Sequence, residues 1–379
     1  MPGNAEIAEK QRRVNELLEL GGYDAMLLAR VDNFAWFTCG GQCHVNTAQE
    51  TGVGSLLIHR NRKTLITNNV ERPRLLQEEL AGRASPAGRA SPAGQGFDEE
   101  VSLWAEDALG PAIARIAPGQ KIISDVALPG VTACPDDIAG LRASLTPEEV
   151  QRYRGLGAEV GAALGQACLE TRPGMTEHEA AAAVARRQWE RGIVPIVVLV
   201  AADDRLMKYR HPIPTGNEIE RTVMLVVCGR RQGLIVSATR IVTFGPVSEE
   251  LRRKHQAVAR VDAAFIANTK IGARIGDIFN AGLAAYAAEG YPEEWKLHHQ
   301  GGPTGYAARD YRATPDIDAA VEPNQAFAWN PSITGTKSED TIIALQGGPE
   351  IISASPGFPM LEVGAHGHAP LRRSDILVR

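Results

Sequence analysis

The spacing of apolar residues along the chain predicts an α/β protein. Helical intervals separate the apolar side chains of residues 5–20, whereas short apolar runs typical of strands occur at residues 24–28, 54–58 and 64–67. The later part of the chain predicts helices at 146–170, 177–191 and 249–270, then a second helical pair, and strands at 193–202, 222–228, 233–244, 325–329 and 341–344. The strands at 222–228 and 233–244 are joined by a short charged turn, which favours a hairpin.

Capping residues mark the start of a long helix near the middle of the chain. Thr146 can serve as its N-cap, Pro147 suits the first helical position, and Glu148 and Glu149 place acidic side chains in the first turn. A length of 379 residues exceeds what one core usually supports. We therefore predict an N-terminal domain at residues 1–144 and a C-terminal domain at residues 145–379.

Small residues shape two further segments. Gly157, Gly161 and Gly165 follow each other at four-residue spacing, so they share one helix face and would let another element approach closely. The unit RASPAG occurs twice in tandem at residues 83–94, without an apolar side chain large enough to pack. This repeat predicts a flexible surface loop.

Composition and charge exclude several classes of partner. A formal charge of -5, from 40 basic and 45 acidic side chains, provides no basic stripe for nucleic acid. The longest apolar run, residues 193–202, is too short to span a membrane, and the polar start of the chain lacks a secretory signal. We therefore expect a cytoplasmic protein that binds neither nucleic acid nor membranes.

The five cysteines are scattered along the chain, which favours reduced thiols over a disulfide framework. Cys39, Cys43 and His44 cluster and could hold a metal, but no second ligand pair with matching spacing follows them. The cluster could instead belong to a surface loop of the N-terminal domain or to a subunit contact.

Five ordered motifs carry a resemblance to a known superfamily. They are TPEEVQRYR (146–154), TRPGMTEHEAAAA (171–183), RHPIPTGNEIE (210–220), HHQGGPTGY (298–306) and KSEDTIIA (337–344). The chain thus resembles the creatinase, aminopeptidase P and prolidase superfamily, whose catalytic domain has the pita-bread fold. The resemblance implies a small N-terminal creatinase-like domain, with DNFAWFTCGG (32–41) as a weaker match, followed by a C-terminal pita-bread domain.

The metal-binding positions of the superfamily are mostly altered in this sequence. Metallopeptidases of this fold hold two divalent cations with two aspartates, one histidine and two glutamates, and these positions correspond here to Val227, Ser237, His299, Asn330 and Glu339. Because neighbouring strand residues point to opposite faces, we expect the Cys228 thiol to face away from the pocket. One carboxylate and one imidazole cannot offset two dications, so we expect no metal and no other cofactor. The alternative is that a metal still binds, with Asp203 or Asp204 as a replacement ligand.

Creatinase lacks the metals and uses a histidine to transfer protons, and His211 matches that position. Histidine titrates near neutral pH, so it can take and return a proton in the cell. The resemblance therefore makes His211 the first catalytic candidate. A structural role for a histidine that precedes a proline is the alternative.

The same comparison provides the remaining candidates. We predict His299, Glu339 and Tyr306 as further catalytic residues, and Asn330, Ser237, Thr239, Arg240 and Arg309 as substrate-binding residues. Creatinase has glutamates at the positions of Thr239 and Asn330 to hold the cationic guanidinium of creatine, so neutral residues there indicate a less basic substrate. Tyr306 could instead serve packing, and Arg309 could form an exposed ion pair with Asp310.

These observations predict a metal-independent, creatinase-like enzyme that hydrolyses a carbon–nitrogen bond in a small molecule through a histidine proton relay. A lyase or cyclase with the same relay would show the same sequence. The sequence is also compatible with an Xaa-Pro peptidase that has atypical metal ligands, or with an inactive peptidase-like module that binds a protein or peptide. The resemblance further implies a homodimer, with Phe34, Trp36 and Phe37 as candidate anchors of the interface; burial of all three in the core is the alternative.

Overall fold

The chain divides into two compact units, Met1–Glu149 and Val150–Arg379. The computed structural model describes residues 2–80, 96–106 and 109–379. The predicted domain boundary, between residues 144 and 145, falls just before this division. The repeated RASPAG segment, predicted to be a surface loop, lies outside the described residues.

A six-stranded mixed sheet with the strand order β4-β3-β2-β1-β5-β6 organises the first unit. Its helices and strands are α1 (Pro2–Gly21), β1 (Ala25–Arg30), α2 (Val31–Phe37), β2 (Thr51–His59), β3 (Lys63–Asn68), α3 (Arg72–Arg74) with a π-helical turn (Leu75–Leu80), β4 (Phe97–Ser102), α4 (Leu109–Ile116), β5 (Ile122–Ser124), β6 (Thr132–Ala133) and α5 (Pro135–Gly140). Apolar residues of β1, β2, β3 and α4 form one core cluster of this unit. The predicted helix and three strands are confirmed.

The aromatic residues of α2 are part of the protein interior. Phe34, Trp36 and Phe37 are at most 1% exposed. Near them the buried ammonium group of Lys10 donates to the Trp36 carbonyl oxygen at 2.6 Å and pairs with Glu149 at 2.7 Å. The interpretation of these aromatic side chains as anchors of a subunit interface is wrong, because they are already buried in the single chain.

The second unit contains two four-stranded sheets, with the strand orders β10-β11-β14-β15 and β18-β9-β8-β7. Its elements are α6 (Pro147–Glu170), α7 (Glu177–Trp189), β7 (Val194–Ala202), α8 (Asp204–Lys208), β8 (Thr222–Arg231), β9 (Leu234–Thr243), α9 (Glu249–Asn268), α10 (Ile275–Ala288), a 3₁₀ turn (Glu294–Leu297), β10 (Gly301–Thr304), β11 (Ala326–Trp329), β12 (Ser332–Ile333), β13 (Thr336–Lys337), β14 (Asp340–Leu345), β15 (Gly348–Ile351), β16 (Met360–Ala365), β17 (His368–Ser374) and β18 (Leu377–Val378). The mixed architecture confirms the predicted fold class.

Helix α6 begins where its capping residues predict. The Thr146 hydroxyl accepts from the Glu149 amide at 3.2 Å, and the Glu149 carboxylate accepts from the Thr146 amide at 2.8 Å. This reciprocal capping box satisfies two amides that the first helical turn leaves without partners. Among the described helices, none is long and apolar enough to cross a membrane.

The two sheets of the second unit meet where β9 approaches β14. The Thr239 amide donates to the Glu339 carbonyl oxygen at 3.2 Å, and the Ser237 amide donates to the Thr341 hydroxyl at 2.8 Å. Ser237 and Thr239 lie two residues apart on β9, so their side chains share one face. This junction places both side chains beside the segment that carries Glu339.

Candidate active site

Three histidines form the centre of the candidate site. The Nε2 atoms of His211 and His298 are 3.3 Å apart, and the rings of His211 and His299 stack with centroids 5.6 Å apart. One ring nitrogen of each histidine lies within 4.8 Å of the others. His211 is exposed, His298 is buried and His299 is half-buried, so the cluster reaches from solvent into the interior.

His211 is held in place by the loop that follows α8. Arg210 donates to Glu294 and to the Thr334 hydroxyl, both at 2.8 Å, and the Val200 amide donates to the Pro212 carbonyl oxygen at 3.1 Å. The side chain of Arg210 and the backbone of Pro212 thus anchor the residues on both sides of His211, whose ring remains accessible.

His298 has polar partners at both ring nitrogens. Its Nδ1 lies 3.3 Å from the Ser332 hydroxyl, and the Asn330 amide nitrogen is 3.4 Å from Nε2. An amide N–H can only donate, so Nε2 is the accepting nitrogen and Nδ1 carries the proton. His299 Nδ1 is buried without a hydrogen-bond partner among the described residues.

All three histidines are neutral at physiological pH. Burial is the largest cause for each, and the positive charge of Lys337 adds to it. Together they lower the pKa of His211 below its usual value, lower the pKa of His299 to about 4, and lower the pKa of His298 still further. The cluster can therefore accept a proton, but it opposes a lasting positive charge.

Glu339 is buried beside this cluster. Its Oε2 accepts from Lys337 Nζ at 2.7 Å and from the Thr239 hydroxyl at 2.6 Å, and its Oε1 lies 3.2 Å from Arg309. Burial alone would raise the pKa of this carboxyl, but the charges of Lys337 and Arg309 outweigh burial and lower the pKa. Glu339 is therefore an ionised carboxylate.

Arg309 joins several predicted site residues. Its guanidinium lies 3.4 Å from the Ser237 hydroxyl and 3.3 Å from the Asn330 side-chain oxygen, in addition to its contact with Glu339. An exposed ion pair with Asp310 does not describe this geometry, because the Arg309 side chain is only 15% exposed and pairs with Glu339.

Arg240 does not lie with the other candidates. It follows Thr239 on β9, so its side chain points to the opposite face of the strand, where it pairs with Asp340 at 2.9 Å and donates to the Ser355 hydroxyl at 3.0 Å. Arg373 bridges Asp340 and Asp262 in the same buried network. The prediction of Arg240 as a substrate-binding residue is wrong for this reason.

Cys228 also differs from its prediction. The hairpin pairs Cys228 directly with Ser237, and Val227 with Ala238. Residues directly opposite each other on two strands share a face, and the Cys228 sulfur lies 3.2 Å from the Ser237 oxygen. The thiol therefore faces the pocket, and the side chain of Val227 is turned away.

The remaining sequence candidates are Tyr306, Asp203 and Asp204. Tyr306 is buried, two residues beyond the end of β10, and its catalytic role stays a prediction. Asp203 accepts from the backbone amides of residues 220, 221 and 222, and Asp204 is exposed and pairs with Lys208. These two aspartates are therefore engaged elsewhere and do not act as replacement metal ligands.

The dinuclear metal centre that the resemblance implies does not fit these residues. Both oxygens of Glu339, the one carboxylate at the five metal positions, are bonded to cationic side chains. The three histidines do form a nitrogen donor set suited to a single transition-metal ion. However, Lys337, Arg309 and Arg312 direct positive charge at these rings, which opposes a dication there.

Two important members of the site, His298 and Lys337, were not predicted. Each lies inside a motif that the sequence pointed out, directly before His299 and two residues before Glu339. A signal was present, because a lysine two residues from a glutamate on an extended segment points to the same side. His298 gave no such signal, because the ring that it contacts, that of His211, is distant in sequence.

Comparison with known proteins identifies the family. Residues 151–350 match the sequence model of metallopeptidase family M24, which covers more than half of the chain. The protein therefore belongs to this family, and the predicted superfamily of creatinase, aminopeptidase P and prolidase is confirmed. No curated protein matches the sequence significantly.

Solved structures share the architecture over nearly the whole chain. The Xaa-Pro dipeptidase from Bacillus anthracis has 18% identity and a TM-score of 0.74, covering 98% of this chain and 100% of that one. Dipeptidase PepE from Mycobacterium ulcerans has 15% identity and a TM-score of 0.76, covering 99% and 98%. The N-terminal domain of FACT complex subunit SPT16 from Cicer arietinum has 10% identity and a TM-score of 0.67, covering 92% and 96%. At these identities the likeness shows the pita-bread fold alone, and family membership supports a hydrolase.

Proposed function

We propose that the protein is a metal-independent hydrolase that cleaves a carbon–nitrogen bond in a small molecule, with His211 as the proton relay. The observation that carries the proposal is the contact between the accessible ring of His211 and the buried ring of His298 at 3.3 Å. His211 is neutral because of its lowered pKa, so it is available as a base at neutral pH.

The proposed reaction needs only water and the side chains of the site. His211 takes a proton from water as the water oxygen bonds to the carbonyl or amidine carbon. The carbon–nitrogen bond then breaks with its electron pair on nitrogen, and His211 returns the proton to that nitrogen. His299 and Tyr306 bind or polarise the electrophile, and Ser237, Thr239 and Asn330 line the substrate position.

Glu339, predicted from the sequence as a further catalytic residue, has an anchoring role in this proposal. An ionised carboxylate with three hydrogen-bond partners is a weak base, so we assign the activation of water to His211. Glu339 instead holds Lys337, Arg309 and Thr239 in place. The names of the similar structures, Xaa-Pro dipeptidase and dipeptidase, favour an amide as the bond that is cleaved.

A substrate panel tests the proposal. Chelator-treated protein is assayed with N-acyl amino acids, ureido acids, cyclic amidines and Xaa-Pro dipeptides, and release of amine or ammonia is measured. We expect turnover of at least one class in EDTA, and loss of that turnover in His211→Ala. Turnover that requires added manganese would support the atypical metallopeptidase. Peptide binding without any turnover would support the inactive binding module.

The panel also separates hydrolysis from a lyase or cyclase reaction. Hydrolysis in water enriched in ¹⁸O places the heavy isotope on the carbon of the cleaved bond, in the acid formed from an amide or the amide formed from a cyclic amidine, which mass spectrometry detects. A lyase or cyclase releases product without incorporation of solvent oxygen. Incorporation would therefore support the hydrolase, and its absence during turnover would overturn that assignment.

A further inference from the structure

The guanidinium of Arg309 connects three of the positions that the resemblance assigns to anionic metal ligands. It lies 3.4 Å from Ser237, 3.3 Å from Asn330 and 3.2 Å from Glu339. These residues come from β9, the segment after β11 and the segment before β14, and one side chain reaches all three. A cation is thus present in the space that these positions enclose, supplied by the chain itself.

Lys337 supplies a second cation at the same carboxylate. Its ammonium group is 2.7 Å from Glu339 Oε2, whereas Arg309 contacts Oε1. Lys337 and Glu339 are 6% and 4% exposed, so water screens this pair weakly. Each oxygen of Glu339 therefore has its own cationic partner.

The local charge count favours an anionic oxygen at this site. Lys337 and Arg309 carry two positive charges and share the single negative charge of Glu339, which leaves these three side chains with a net positive charge. The carboxylate that follows Glu339 in the chain, Asp340, is directed to Arg240 and Arg373 on the far side of the strand. The Nε atom of Arg309 is also buried without a hydrogen-bond partner among the described residues.

We propose that Arg309 and Lys337 form a side-chain cation pair that takes the place of the family's metal centre and binds an anionic oxygen of the substrate. That the anionic oxygen belongs to a substrate rests on the proposed function. The position of the cation pair does not depend on it. A hydrogen-bonding guanidinium and an ammonium group can both stabilise charge on an oxygen, which is the electrostatic contribution that a bound metal otherwise makes.

Restoring the carboxylates tests whether Arg309 occupies the metal position. The double variant Ser237→Asp, Asn330→Glu should bind manganese weakly, because the guanidinium remains between the ligands. Adding Arg309→Ala to it should give about one tightly bound manganese ion per chain, as expected for an open site with oxygen ligands. The matched control adds Arg312→Ala to the double variant instead. Arg312 is exposed and acts on the histidines only through its charge, so this control should stay weak.

Manganese binding is measured by calorimetry on samples whose folding is verified by circular dichroism. Equally tight binding by the double variant alone, or no binding by the folded Arg309→Ala combination, would overturn the position assigned to Arg309. Neither measurement uses turnover, so these outcomes are independent of the proposed reaction.

A second experiment needs no restored carboxylates. Arg309→Ala alone should unfold at a lower temperature than the wild-type protein, and methylguanidinium chloride below denaturing concentrations should raise that temperature more than potassium chloride does. Anion binding is tested by adding acetate to the wild-type protein and to Lys337→Gln. Acetate should raise the unfolding temperature of the wild-type protein only. Equal effects of the two cations, or of acetate on both proteins, would overturn the cation pair.

Discussion

The carboxylate of Glu339 accepts hydrogen bonds from Lys337, Thr239 and Arg309, and these partners determine what it can do. Two cations hold it ionised in spite of its burial, which makes it a weak base and a strong electrostatic anchor. Burial, with the positive charge of Lys337 added to it, keeps the neighbouring histidines His298 and His299 neutral. Proton transfer and charge stabilisation are thus divided between different residue types in one site.

Substitution of His211 should separate catalysis from stability. We expect His211→Ala to lower turnover by about 10²- to 10⁴-fold, the usual contribution of one positioned acid–base group. Because the ring is exposed, the free energy of unfolding should change by no more than about 1–2 kcal/mol. Steady-state kinetics and urea unfolding measure both quantities.

The matched control for that variant is His178→Ala, which changes an exposed histidine on α7 outside the cluster. It should leave both turnover and stability unchanged. Retained turnover in His211→Ala would transfer the relay to another histidine, and extensive unfolding would instead favour a structural role for His211.

The buried pair of Lys337 and Glu339 should show strong coupling. Removing one partner leaves an unpaired buried charge, so Lys337→Gln and Glu339→Gln should each lower the free energy of unfolding by about 3–5 kcal/mol. The double variant should lose less than the sum, because no orphan carboxylate remains beside a missing lysine. A double-mutant cycle by urea denaturation measures the coupling. Additive losses would show that the two side chains do not stabilise each other.

Residue positions were predicted well where a motif fixed them and poorly where strand pairing did. His211, His299 and Glu339 come from family-like motifs, and the fold brings them together. Cys228 was misassigned because the register of the hairpin, which pairs it with Ser237, is not visible in a single strand. Arg240 could have been excluded, since it alternates with Thr239 along β9.

At the scale of elements, helix α6 shows how a sequence pattern determines packing. Gly157 and Gly161 face the chain after β15, and a Cβ atom on Gly161 would lie 2.4 Å from the Ala354 carbonyl oxygen. This close approach confirms the predicted role of the glycine spacing. The pattern did not reveal which segment approaches, because that segment is about 190 residues away in sequence.

Alanine substitutions on two faces of α6 should have opposite effects. Gly161→Ala should lower the free energy of unfolding by about 1–3 kcal/mol, because its Cβ would overlap rigid backbone atoms. Gly155 lies on the exposed face, and a Cβ atom added there would have nothing within 4 Å. Gly155→Ala should therefore stabilise the protein by about 0.5–1 kcal/mol. Urea denaturation compares the two variants. Stabilisation by both substitutions would show that the close contact relaxes easily.

At the scale of the whole molecule, the sequence predicted the fold more completely than the assembly. Periodicity and capping located the main helices and strands, but β16 and β17, which carry Arg373, were not predicted. The charged residues of β17 leave little apolar signal, and Arg373 on this strand forms buried ion pairs with residues of other elements. Such long-range pairs cannot be deduced from local spacing.

The homodimer remains a prediction, but the aromatic residues proposed as interface anchors no longer support it. Phe34, Trp36 and Phe37 are buried within the chain, so any subunit interface must use other surfaces. We expect light scattering at micromolar protein concentration to give twice the mass of the 40.7 kDa chain. A mass equal to one chain would contradict the prediction.

Metal analysis distinguishes the proposed enzyme from an atypical metallopeptidase. Protein purified without chelator should contain well under one equivalent of manganese, cobalt, zinc or iron, and its activity should survive EDTA. The physical reason is that Lys337 and Arg309 occupy both oxygens of Glu339 and direct positive charge toward the histidine rings. Elemental analysis by mass spectrometry and assays before and after chelation measure these quantities. A single ion bound by the histidines would be lost in His298→Ala, which serves as the control for that site. Two tightly held ions, or activity that EDTA abolishes and added metal restores, would overturn the metal-independent mechanism and support the metallopeptidase.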